Sequence, residues 1–382
     1  PPAPRPACIS ARTALPVSHD MSNETSAPTI TVKQIPEALE ICYASKRTPI
    51  FISNPGVGKT QSVMTFAASK GAKVRTLVAS MLDRTDFQLP MLDKETGSVV
   101  FVPLDDLKAL SVEHMPDGDP EILYWNEYPC APESLHPVLY RLINERKIGN
   151  LTLRDNVMNI ADGNPPSCST GHDLPFPARR RFRWYHVTVR TDDWMEWAYD
   201  NAIHPTVIAF IGAHPSLLSD FDANNIDATT YASPAGYEYL SAAMPGIEKA
   251  SESLAIATIC GDIGQSAGMQ FYAFLQHRQK LGDIDELFRT PGNHHLPKER
   301  DIQFLLCGII IDRAASDPDR YMEAACCLAG RLLASNRETG VFLIRSLVRQ
   351  RGLRDKVRAS EPFQKLVRLV CTDPNLEAAL FA

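Results

Sequence analysis

The sequence predicts an α/β protein: a mostly parallel sheet sandwiched by helices, followed by an all-helical region. Three observations predict it. Short apolar runs alternate with helical spacings through the first half of the chain. A glycine-containing turn, "NPGVGKT", joins one such run to a helix. From about residue 191 the apolar residues recur at helical spacing only.

Each element has its own warrant. "VKQIPEALEICYASKR" spaces Ile35, Leu39, Cys42 and Tyr43 along one helical stripe. "TPIFIS" is a short apolar run ending in a turn, which predicts a strand buried on both faces. "PGVGKTQSVMTFAASKGA" predicts a helix that stops at glycine, and "KVRTLVAS" a second strand. "DRTDFQLPMLDKETGSVVFVPLDDL" predicts a loop and hairpin with a polar turn at "DKETGS". "EILYWNE" is a third strand, "APESLHPVLYRLINERKIG" a helix containing a proline, and "VMNIADGN" and "RWYHVTV" two further strands. Helical stretches follow from "DDWMEWAYDNA" to "FLIRSLVRQ", with Phe271, Phe274 and Leu275 expected as helix core.

The expected organisation is therefore a disordered segment at 1–30, a nucleotide-binding domain at 31–190 and a helical region at 191–382. The opening "PPAPRPACISARTALPVSHD" is rich in Pro, Ala and Ser and has no apolar stripe. It reads as a tail, or as sequence upstream of a start at Met21, in preference to a targeting segment.

Composition bounds the function classes. A chain of 382 residues, 44% hydrophobic and 22% charged, can bury a sizeable core. A net charge of −6 gives no global attraction to nucleic acid or anionic membranes. No run approaches the roughly 18 apolar residues that span a bilayer. The nine cysteines, among them Cys8, Cys168 and Cys371, form no CxxC pair. They read as reduced thiols of a cytoplasmic protein, with no metal or disulfide role.

The turn carries the chemistry. In G-x-x-x-x-G-K-[ST], inward backbone N–H groups and a helix N-terminus wrap phosphates. Here Ser53 takes the first glycine position, and Asn54, Pro55, Gly56, Val57, Gly58, Lys59, Thr60 and Gln61 form the expected ATP-binding loop. Gly56 and Gly58 permit close backbone approach, Lys59 can reach the β and γ phosphates, and the Thr60 hydroxyl can ligate Mg²⁺. The strand "EILYWNE" places Glu127 where a base would orient water. Asn126 stands where an aspartate would hold the metal's shell, keeping an acceptor oxygen but losing the charge. Asn164, ending "VMNIADGN", either positions the attacking water or forms a turn before Pro165, and the series of motifs favours the first. Arg179, Arg180, Arg181 and Arg183 offer an arginine finger for a neighbouring subunit or a solvated basic patch.

In this order the pieces resemble the MoxR branch of AAA+ ATPases, over roughly residues 32–350. "SNPGVGKT" is similar to that family's phosphate loop, "DRTDFQLP" to its D-x-x-D-x-x-G-x-P segment, and "NEYPCAPESLHPVLYRLINERKIG" to its acid strand and following helix. "ADGN", "PARRRF", "DWMEWA" and "IHPTVIAFI" match further family segments. The resemblance implies a P-loop AAA+ core, an all-helical lid and a C-terminal helical extension. It implies ATP and Mg²⁺ as cofactors, a homo-oligomeric ring, expected to be a hexamer, and a chaperone-like remodeller of a partner. That partner class includes von Willebrand factor A-domain proteins. By position, Arg181 is the arginine finger, and Asp86 to Val102 present a hairpin to the pore or partner. The family's lid arginine falls in "SPAGYE", where this chain has Ala235. Asn126 and Ala235 both remove charge from the phosphates and metal, so a nucleotide-gated scaffold with little hydrolysis stands beside the motor. A nucleic-acid remodeller using Arg179 to Arg183 is the weaker third reading.

Overall fold

The computed structural model describes residues 28–103, 105–148, 151–165, 174, 176–222, 225 and 229–370. The expected tail at 1–20 and the cysteines Cys8, Cys168 and Cys371 lie outside these residues. The first part of the chain runs β1 (Thr29–Thr31), α1 (Ile35–Ala44), β2 (Thr48–Ile52), α2 (Lys59–Ser69), β3 (Lys73–Val78), β4 (Gln88–Leu92), β5 (Val99–Pro103), α3 (Asp105–Lys108), β6 (Glu121–Asn126), α4 (His136–Glu145), β7 (Lys147–Ile148), β8 (Leu151–Thr152), β9 (Val157–Gly163), α5 (Phe176–Arg179) and β10 (Phe182–Thr188). One sheet has the order β1-β10-β2-β9-β6-β3, and its described pairings are parallel. β4 and β5 form the expected antiparallel hairpin, and β7 pairs with β8.

Alternation along the strands explains the three layers. Phe51, Ile122, Tyr124 and Ile160 face α1 and α2, where they meet Leu39, Val63 and Phe66. Ile50, Leu123, Trp125 and Ala161 face the other way, onto Leu139 and Leu142 of α4. Each such large side chain contributes about 1.5–3 kcal/mol by leaving water. Under the sheet, the buried Arg154 pairs with Glu121 at 3.3 Å and donates to the Asp119 carbonyl, closing the N-terminal strand ends.

One expectation needs correction. The disordered segment expected at 1–30 overlaps the sheet, because Thr29–Thr31 form β1 against His186, Val187 and Thr188 of β10. As expected, the "APESLHPVLYRLINERKIG" helix contains a proline, Pro137, in the first turn of α4. There its missing N–H has no helical partner to lose.

The rest of the described chain is helical: α6 (Thr191–Asp200), α7 (Pro205–Ala213), α8 (Pro234–Ile247), α9 (Glu252–Ile263), α10 (Gln265–Gln276), α11 (Ile284–Arg289), α12 (Arg300–Ser316), α13 (Pro318–Ser335), α14 (Arg337–Arg349), α15 (Arg354–Ala359) and α16 (Glu361–Val370). These helices share an apolar cluster of their own, running from Trp194 to Leu366. α7 is buried along nearly its whole length, as an all-round apolar helix must be. Phe271 and Phe274 of α10 are core side chains of that cluster, with Leu275 packed against its edge. No described helix is long and apolar enough to cross a membrane.

Candidate functional site

The candidate site lies where the central parallel strands end, the edge at which open α/β sheets bind ligands. β2 delivers the chain into the turn from Ser53 to Gly58, and α2 begins at Lys59. Gly56 and Gly58 take φ of +75° and +102°, which side chains rarely adopt. Asn54 and Pro55 open the turn, Val57 is buried, and Thr60 and Gln61 are exposed on the first turn of α2. The first N–H groups of an α-helix have no carbonyl of the helix's own to bond, which leaves the start of α2 suited to an anion.

Lys59 is buried. Its ammonium donates to Ser53 Oγ at 2.8 Å, the Ser53 carbonyl at 3.4 Å and Asn164 Oδ1 at 3.3 Å. A charged donor held at neutral oxygens can exchange them for a stronger, charged acceptor. Ser53, which reads in sequence only as a mild departure from glycine, is one of the lysine's partners. Its own hydroxyl donates to the Asn54 carbonyl. Asn164 meets the lysine from the end of β9, so two of the sequence-predicted residues converge directly.

Below them runs a second chain of contacts. Thr60 Oγ1 lies 3.2 Å from Tyr124 OH, which donates to Asp162 Oδ2 at 2.7 Å. The other oxygen, Asp162 Oδ1, accepts the Glu127 backbone N–H at 2.9 Å. Asp162 is buried, and burial pushes its carboxyl above the usual range, opposed by the charge of Lys59. Sequence reading missed this carboxylate. Its only signal was an acid in the apolar run "VMNIADGN".

Glu127 follows β6 with φ 56° and ψ 40°, a left-handed backbone uncommon for a residue with a side chain. Its carboxylate accepts from Ser80 Oγ at 3.3 Å. Asn126 ends β6 on the same face as Tyr124 and is half-buried. Ala235, one residue into α8, donates its backbone N–H to the Gly56 carbonyl at 3.0 Å. A side chain at Gly56 would strike Ser233 at under 3.0 Å, so the helical region closes directly onto the loop.

Arg181 is not brought to this site within the chain. It precedes Phe182, which pairs with Thr48 at the opposite end of β2. Five strand residues at ~3.3 Å each separate it from the loop edge by about 16 Å. Its guanidinium lies 5.3 Å above the Tyr140 ring, and Nε is buried without a hydrogen-bond partner among the described residues. The neighbouring arginines fan apart: Arg179 donates to the Leu174 carbonyl and Arg183 to Ser45 Oγ.

No family model matches the chain, and no curated protein does. Solved structures to which it is similar include a mutant form of Thermotoga maritima RuvB, at 12% identity over 80% of this chain and 76% of that one, TM-score 0.33. The structure described as the T. maritima RuvB Holliday junction branch migration motor is similar at 12% identity over 80% and 75%, TM-score 0.32. A candidate ATPase from Cytophaga hutchinsonii is similar at 13% identity over 89% and 90%, TM-score 0.31. These likenesses are loose, and the molecule's own strand order defines its fold.

Proposed function

We propose that this chain is an ATP-binding AAA+ protein of MoxR type, which hydrolyses ATP with Mg²⁺ in a homo-oligomeric ring to remodel a partner protein. One observation carries the reading. A buried lysine on the first turn of α2 is held by Ser53 and Asn164 at the edge of a central parallel strand, beside two glycines with positive φ. That constellation has the donors a triphosphate requires and places them at a helix N-terminus.

The donor set fits the nucleotide and its metal. Backbone N–H groups from Gly56 to Gln61 would hold the phosphates, with Lys59 leaving Ser53 and Asn164 to join them. Thr60 and Asn126 would hold Mg²⁺, and the nucleotide would supply the labile phosphoryl group. Glu127 takes the proton of an attacking water on its carboxylate, and Asn164 orients that water. Arg181 of an adjoining protomer stabilises charge that develops on the phosphoryl oxygens. The β4–β5 hairpin exposes Leu92, Val99 and Phe101, so it is the element we assign to the pore or partner. A hexameric ring and a von Willebrand factor A-domain partner rest on the resemblance of the motifs alone, and a cytoplasmic location on cysteines that form no CxxC pair.

A second reading, a scaffold gated by ATP with little turnover, is favoured by Asn126 and by the Ala235 contact, where no side-chain charge meets the loop. The two share a first test. Calorimetry with ATP should give measurable heat that Lys59→Ala abolishes, and an unchanged Lys59→Ala titration would end both. Phosphate release then separates them. Turnover lost with Lys59→Ala identifies the motor, whereas binding without turnover, rescued by Asn126→Asp, identifies the scaffold.

A further inference from the structure

Asn126 leaves the end of β6 without the carboxylate that a metal–nucleotide site uses. One residue short of it, Trp125 pairs with Ala161 of β9. Asn126 and Asp162 therefore stand at the same level on adjacent strands. Asp162 also pairs with Phe51 of β2, two residues before Ser53 opens the phosphate loop. A buried carboxylate thus lies between the loop strand and the acid strand, one strand away from the position that lacks one.

The hydrogen bonds give this carboxylate a task. Tyr124 has a single hydroxyl proton, and it is donated to Asp162 Oδ2. The 3.2 Å contact between Thr60 and Tyr124 must then run the other way, with Thr60 Oγ1–H donating to the tyrosine oxygen. That turns the threonine's proton toward the sheet and leaves its lone pairs facing out from an exposed residue. Lone pairs aimed outward are what a hard cation requires of a hydroxyl ligand. The other carboxylate oxygen fixes the Glu127 N–H, so one acid supports both the metal-binding hydroxyl and the backbone of the base.

Building on the nucleotide reading above, we infer that Asp162 is a positioning residue: through Tyr124 it aims the Thr60 hydroxyl at the nucleotide's divalent cation and supplies the negative charge that Asn126 lacks. Outer-shell partners of this kind change metal affinity by about 10–100-fold when removed.

The test is calorimetric titration of a slowly hydrolysed ATP analogue, in EDTA and at graded Mg²⁺, for the full chain and three variants. In the unaltered protein Mg²⁺ should tighten binding. Asp162→Asn and Tyr124→Phe should each weaken the Mg²⁺ dependence by roughly 10–100-fold while affinity in EDTA changes little. Asn126→Asp placed in the Asp162→Asn background should restore it. A structural role alone would not be rescued from the neighbouring strand. If Asp162→Asn fails to fold, Tyr124→Phe decides, because it keeps the ring and the carboxylate and removes only the link. Full Mg²⁺ dependence in that variant overturns the inference, as does an unaltered protein whose binding ignores Mg²⁺. Both outcomes leave nucleotide binding standing, whereas no binding under any condition removes the nucleotide reading itself.

Discussion

Glu127 shows how the site trades stability for position. Its left-handed backbone costs an L-residue about 1–2 kcal/mol. The surroundings that hold it are the Asp162 carboxylate on its N–H and Ser80 on its side chain. Strain retained at the end of the acid strand is what a catalytic position would show. Asparagine tolerates this region far better than glutamate and lacks a basic carboxylate. Glu127→Asn should therefore hold stability or raise it by up to about 1 kcal/mol, seen as an equal or higher thermal midpoint, while phosphate release falls by roughly 10²–10⁴-fold. Paired thermal melts and phosphate-release assays check it, and a clear loss of stability would show that glutamate is not strained there. The same few residues mark the limit of what sequence discloses. Lys59, Asn164 and Glu127 follow from their place in a pattern. Ser53 and Asp162 do not, because their roles depend on who lies opposite in the folded sheet.

Strands and helices were legible where one local pattern decided them. "TPIFI" is buried throughout, and "EILYWN" is nearly so, as a strand covered on both faces must be. The polar "DKETGS" turn correctly split β4 from β5. What failed was short or non-local. β1 has three residues, too few for a periodicity, and exists by pairing with β10. The level of Asp162 beside Asn126 is set by the β6–β9 register, which no local window contains. Helix α7 provides a further check on local chemistry. His204 caps it, Nδ1 accepting the Thr206 N–H at 3.2 Å. Burial holds this imidazole below its ordinary pKa, with Asp312 and Glu248 opposing. Protonation would charge a desolvated ring and remove the cap's acceptor. Since the folded pKa is depressed, stability is intact above the unfolded value near 6.5 and is lost as pH falls below it. His204→Asn keeps a capping side chain and should reduce this loss, leaving the share from His214, which burial lowers likewise. Urea midpoints at about pH 7.5 and about pH 5.5 measure it, and an unchanged slope would place the titration elsewhere.

For the molecule as a whole, the decisive fact is the distance between Arg181 and the loop it would serve. Both sit on the same sheet but at opposite ends of β2 and β10, about 16 Å apart along the strands. The parallel register fixes this backbone separation within one chain. If Arg181 assists catalysis, it does so in a neighbour. Its contact over Tyr140 is worth about 0.5–2 kcal/mol, little enough to exchange for a phosphate in a closed interface. The geometry makes a prediction about mixtures. Lys59→Ala protomers lack a binding loop but carry Arg181, and Arg181→Ala protomers have the reverse. Each alone should be inactive. Mixed and reassembled, they create interfaces in which an intact loop faces an intact arginine, and phosphate release should return to a fraction of the unaltered rate set by the mixing ratio. A ring in which Arg181 acts within its own chain would stay silent at every ratio. Activity in the Arg181→Ala protein alone would show that the arginine is part of the surface and not of the chemistry.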